Sequence, residues 1–139
     1  MARVDEWLAD HTPAVVVALG GLFTSCGVDG EDLGWVDGTF IPAALAGDPD
    51  GIVPGGVLAV VLGTAMTVAV DVVAMADGAS ATVAAMTMVV TRSPRCAEAL
   101  TLRGEVAALQ RTSGSAEASL ADAEGVLVAR ATATLSRRR

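Results

Sequence analysis

The pattern of apolar and polar positions divides the chain into three kinds of stretch. Residues 56–76 form one long apolar run, interrupted only by Asp71. That is too long for a strand, and Ala59, Leu62, Met66 and Ala69 recur at helical spacing, so the run predicts a buried helix. Asp77-Gly78 is expected to stop it. On the C-terminal side the period changes from helical to two. Residues 80–92 are β-branched and Met-rich up to the break at Pro94. Residues 99–111 place Leu100, Leu102, Gly104, Val106 and Ala108 opposite Thr101, Arg103 and Glu105. Residues 114–121 place Ala116, Ala118 and Leu120 opposite Ser115, Glu117 and Ser119. Residues 126–135 place Leu127, Ala129, Ala131, Ala133 and Leu135 on one side, after a turn at 122–125. Four strands with one buried face each are expected.

The N-terminal part is less regular. Thr12 and Pro13 predict an N-cap and first helical position for a short helix through Ala18, with Val4 to Leu8 as an earlier helical turn. Gly20-Gly21 ends that segment. Residues 22–28 and 34–42 then predict a strand pair around the turn 29–32. Residues 46–56, with their glycines and prolines, form an ordered loop leading into the long helix. A lone helix apolar on all sides needs a sheet wrapped about it. The expectation is therefore an α+β fold in one domain over residues 1–139, with an N-terminal helical segment over 1–20. Edge strands and leftover apolar faces predict a homo-oligomer, a dimer or a tetramer.

Composition narrows the class. The chain has 139 residues, enough to bury a core without disulfides or metals. A net charge of −7 argues against a nucleic-acid partner. The basic cluster Arg137-Arg138-Arg139 predicts a solvated tail. The apolar run approaches the length of a membrane span, but it is poor in Leu and Phe and lacks an aromatic belt and flanking cations, so a soluble domain is expected. Cys26 and Cys96 form no motif, and one His with two Cys cannot make a usual zinc site, so no metal or cofactor is expected. The acidic N-terminus does not look like an export signal, and a cytoplasmic location is the simplest expectation. No nucleophile elbow, P-loop or dinucleotide fingerprint is present.

Three segments carry a resemblance. Asp48-Pro-Asp-Gly-Ile-Val-Pro-Gly-Gly56, followed by Val-Leu-Ala-Val-Val-Leu-Gly-Thr-Ala-Met66, resembles the helix entry of hotdog-fold thioesterases of the phenylacetate-degradation and 4-hydroxybenzoyl-CoA type. Thr91-Arg-Ser-Pro94 resembles a strand end of that family, and residues 122–135 resemble its last hairpin. The resemblance implies a hotdog fold, an antiparallel sheet around a long central helix, and an acyl-CoA or acyl-carrier thioester as substrate. It further implies that the backbone N–H of Gly55 or Gly56, at the helix start, polarises the thioester carbonyl.

The departures from the family are as informative. Pro54 stands where the family often has His. Gly63 stands where the helix typically carries the Asp or Glu that attacks or activates water, and a glycine does neither. Thr67, one turn beyond Gly63, either holds a water or bonds back to its own helix. Asp48, at a position where relatives carry Asn or Gln near the substrate, either serves, like a partner-chain carboxylate in its place, as base for a water held by Thr67, or makes an Asx turn. Asp71 is either beside a ligand cavity or at a helix end reaching solvent or an arginine. Arg92 and Arg95 either meet coenzyme A phosphates or remain solvated. His11 is expected to be a surface residue, and Met66, Met86 and Met88 to fill the core.

Three functions compete on these residues: a thioesterase, a non-catalytic hotdog protein binding acyl-CoA or another apolar ligand, and a hydratase or dehydratase. The last ranks lowest, because relatives of that kind generally use a His with a carboxylate and the sole histidine is His11.

Overall fold

A computed structural model describes residues 2–74 and 80–138. Two helices open it, α1 (Ala2–His11) and α2 (Ala14–Leu19). An antiparallel pair follows, β1 (Gly21–Asp29) and β2 (Leu33–Phe40), then a 3-10 turn at Ala44–Ala46 and the long helix α3 (Gly55–Val73). The chain finishes with β3 (Ser80–Val90), β4 (Leu100–Leu109), β5 (Ser113–Ala121) and β6 (Leu127–Arg138). The six strands form one antiparallel sheet in the order β1-β2-β4-β5-β6-β3.

Helix α3 packs against all six strands. It is long and apolar enough to cross a membrane by length and composition. Here it serves as the core: Leu58, Val61, Leu62, Ala65, Met66, Val68, Ala69 and Val70 are buried under the sheet. Two glycines bring helix and sheet into close approach. A Cβ on Gly34 in β2 would collide with the carbonyl oxygen of Ala69, and one on Gly104 in β4 with that of Ala65. Leu100, Leu102 and Val106 of β4, Ala116, Ala118 and Leu120 of β5, and Ala129, Ala131, Ala133 and Leu135 of β6 face this helix as the alternation predicts.

The pattern slips where the strands do. A register shift between Val106 and Ala108 turns Ala108 outward, and Leu109 packs against the core in its place. A shift at the β5–β6 pairing between Leu120 and Ala121 exposes Leu127 and buries Val128. The N-terminus also differs from expectation. Pro13, not Thr12, occupies the cap position of α2, and the Thr12 hydroxyl donates instead to the Leu8 carbonyl at 2.6 Å. The expected turn at Val4 to Leu8 is part of a full helix, whose buried Leu8 docks it onto the fold. Gly20 ends α2 in a left-handed conformation (φ 111°).

Arg137 and Arg138 do not form a solvated tail. They belong to β6, paired with Ala81 and Ser80, and the Arg137 guanidinium donates to the Gln110 carbonyl at 2.8 Å. The helix stop expected at Asp77-Gly78 and the last arginine, Arg139, lie outside the described residues; α3 closes at Val73 with Ala74 as its cap.

Candidate functional site

Between α3 and β3 the fold leaves a groove of about 560 Å³. Ala59, Val60, Gly63, Thr64, Thr67 and Val68 form its helical wall, and Ala81, Thr82, Val83 and Met86 its strand wall. His11 and Pro13 close one side. The volume is that of a small-molecule site, and the walls are largely apolar.

Gly63 and Thr67 come together here, as their spacing of four predicts. A Cβ on Gly63 would meet only Met86 Sδ at 3.8 Å and Val83 Cγ2 at 4.0 Å, both ordinary contacts. A side chain at position 63 would therefore fit without a clash and enter the groove wall. The Thr67 hydroxyl donates to the Gly63 carbonyl at 3.0 Å. Its proton is committed, while its oxygen lone pairs are still free to accept.

The helix start is built by a rigid loop. Asp48 is exposed, and its Oδ1 accepts the N–H groups of Asp50 and Ile52, both at 2.9 Å, in an Asx turn. Val53 N–H donates to the Pro94 carbonyl and Cys96 N–H to the Gly51 carbonyl, tying the loop to the segment after β3. Pro54 then caps α3 through its backbone only, its carbonyl accepting from Val57 and Leu58. Gly55 and Gly56 are exposed, with free N–H groups of a helix start and nothing within 4 Å of a Cβ on Gly56. A carbonyl oxygen can reach these donors.

The other expected site residues sit elsewhere. Asp71 lies deep at the far end of α3, 9% exposed, and accepts the Ala81 N–H at 2.8 Å. Burial pushes its carboxyl up to about 6, opposed by that hydrogen bond and by the charges of His11 and Arg137. It thereby caps the start of β3. Arg92 makes paired bonds to the Glu98 carboxylate and reaches Asp122 at 3.4 Å. These partners hold the guanidinium charged, and the Arg92 bond holds the Glu98 carboxyl below its ordinary value. Arg95 is exposed, with Nη2 3.5 Å from the Asp50 carbonyl. Neither arginine lines the groove. Met66 is buried, whereas Met86 is half-buried and forms part of the groove wall.

The residue that sequence reasoning did not bring here is His11. It is exposed, as expected, yet it borders the groove that Thr67 also lines. The docking of α1 puts it there, and no local pattern announces that packing. No group of three or more metal-ligating side chains occurs among the described residues.

No family model matches the sequence, and no curated protein matches it. Solved structures do match. A thioesterase of Haemophilus influenzae superposes with a TM-score of 0.81 at 20% identity, over 98% of this chain and 90% of its own. A Ralstonia eutropha protein, described as a putative thioesterase related to phenylacetic acid degradation, matches with a TM-score of 0.72 at 27% identity, over 90% of each chain. A hypothetical thioesterase of Streptococcus pneumoniae, solved with coenzyme A, matches with a TM-score of 0.72 at 16% identity, over 96% of this chain and 95% of its own. Sheet order, central helix and these superpositions agree: the chain has the hotdog fold, in the form seen in hotdog-fold thioesterases.

Proposed function

We propose that the protein hydrolyses an acyl thioester, carried by coenzyme A or an acyl-carrier protein, in the groove between α3 and β3. The observation that carries this reading is the apolar groove itself, opened by Gly63 and Thr67 on a thioesterase-like fold. The acyl chain lies along Ala59, Val60, Val83 and Met86. A Gly55 or Gly56 amide, at the positive end of the helix, stabilises the oxyanion that forms as water attacks. The Thr67 oxygen accepts a hydrogen bond from that water. Coenzyme A in the streptococcal relative supports the choice of carrier. A cytoplasmic location belongs to the same proposal.

Geometry supports an assembly. Gly55 and Gly63 are two turns apart, about 12 Å along the helix axis. Amides and water site on one helix therefore do not converge on one carbonyl carbon. A second copy, with its α3 running antiparallel, would bring its Gly55 to the Gly63 of the first. Val60 is exposed along this side, at 40%. A homodimer, with each site built from both chains, is the form proposed.

The test is turnover of a panel of acyl-CoAs by the purified chain, followed by release of free thiol. Rates no better than buffer would end the thioesterase reading. One observation favours a second reading: no carboxylate lines the groove among the described residues. A non-catalytic binder of acyl-CoA would then show tight calorimetric binding without turnover.

A further inference from the structure

The groove wall carries one titratable side chain among the described residues, and it comes from α1 rather than α3. His11 lies at the end of that helix, with its ring stacked on Trp7 at a centroid distance of 4.1 Å and an interplanar angle of 18°. Its Nδ1 is 2.9 Å from the Trp7 carbonyl oxygen. A carbonyl only accepts, so Nδ1 carries the proton of the neutral ring and Nε2 holds the free lone pair. Stacking and hydrogen bond together fix the tautomer and the ring plane, which is how a second partner prepares an imidazole for proton transfer. Across the groove stand Gly63, with no side chain, and Thr67, whose oxygen has acceptor capacity left. Buried Asp71 of α3 feels the charge of His11 and, separately, that of Arg137 of β6.

We propose that His11 is the acid–base group of this groove, in the role that a helix carboxylate takes where Gly63 now stands; this rests on the thioesterase reading. Nε2 takes a proton from the attacking water as its oxygen bonds to the thioester carbon. The carbon–sulfur bond of the resulting tetrahedral intermediate then breaks. The imidazolium returns the proton to the departing sulfur, and the products are a carboxylic acid and a free thiol. One water is consumed and nothing is oxidised or reduced.

The experiment compares the full-length wild type with His11→Ala and His11→Gln on acyl-CoA substrates. Both variants are expected to lose at least about 10²-fold in kcat, with KM changed by less than about twofold. Added imidazole should restore part of the activity of His11→Ala, which opens space for it, and not of His11→Gln. A structural role for the ring would show neither the kcat-only loss nor the rescue. Full activity in both variants, or a loss that imidazole does not relieve in His11→Ala, would overturn the assignment while leaving the thioesterase reading intact. If the wild type itself turns over no thioester, the thioesterase reading fails and the His11 role falls with it.

Discussion

The two sides of α3 are built from similar small and apolar residues, yet one is shut and the other open. Toward β2 and β4 the helix is pressed so closely on the sheet that Gly34 and Gly104 have no room for a Cβ. Toward the groove, Gly63 could carry a Cβ at ordinary contact distance, and Gly55 and Gly56 face solvent. The first glycines allow helix and sheet to touch. The second leave a helix wall and a helix start accessible to a ligand. Hydropathy does not separate the two groups, because every member is a glycine, whether it sits in β2 or β4 or at the start or in the middle of α3. What separates them is which strand lies opposite, and that is a property of the packed molecule.

Substitutions can break or sharpen this contrast. The largest effect is expected at the closed side. Gly104→Val should cost about 3 kcal/mol of stability through overpacking against Ala65, read as a lower urea midpoint at unchanged slope. At the open side, Gly63→Asp should alter stability by less than about 1 kcal/mol, and by placing a carboxylate in the groove should raise thioester turnover by about tenfold, or 1.4 kcal/mol of barrier. A Gly63→Asp protein that unfolds as readily as Gly104→Val would erase the distinction.

Asp71, at the buried end of the same helix, gives a pH signature. Its folded-state carboxyl titrates near 6, above its ordinary 3.8, so between these values the folded state holds more protons than the unfolded state. Stability is then expected to fall as pH rises from about 4 to about 6. Asp71→Asn keeps an acceptor for the Ala81 N–H and should flatten that slope, measured as urea midpoints across the range. The smallest effect is expected from Thr67→Val. It removes a hydroxyl whose donor serves only the helix, so stability should shift by no more than about 0.5 kcal/mol. Turnover should fall about fivefold with the lost hydrogen bond to water, worth roughly 1 kcal/mol.

Much of the fold was legible in the sequence because each element has its own period. The all-apolar run gave α3, and the alternation of Leu100, Leu102 and Val106, or of Ala116, Ala118 and Leu120, gave the buried strand faces. Ala108 and Leu127 were misassigned because a bulge shifts register without leaving a composition mark. Arg137 and Arg138 read as tail because strand pairing through the backbone is blind to side-chain charge. At the site, the pairing of Gly63 with Thr67 followed from helical geometry. The Asx turn of Asp48 and the back-bond of Thr67 are local contacts, and they took the local alternative foreseen for each. His11 lay beyond such reasoning, since it reaches the groove only through the docking of a separate helix.

The strand order also has a consequence for biosynthesis. Among the described residues strand β3 pairs only with β6, and residues 91–126 lie between them. A ribosome adding about 5–20 residues per second needs about 2–7 s to make that intervening stretch. During that interval β3, with Val83, Met86, Met88 and Val90, leaves the tunnel with both backbone edges unsatisfied. The nascent chain is thus most vulnerable to clumping just after its central helix has emerged, and slower translation across residues 91–126 would lengthen the time it depends on chaperones.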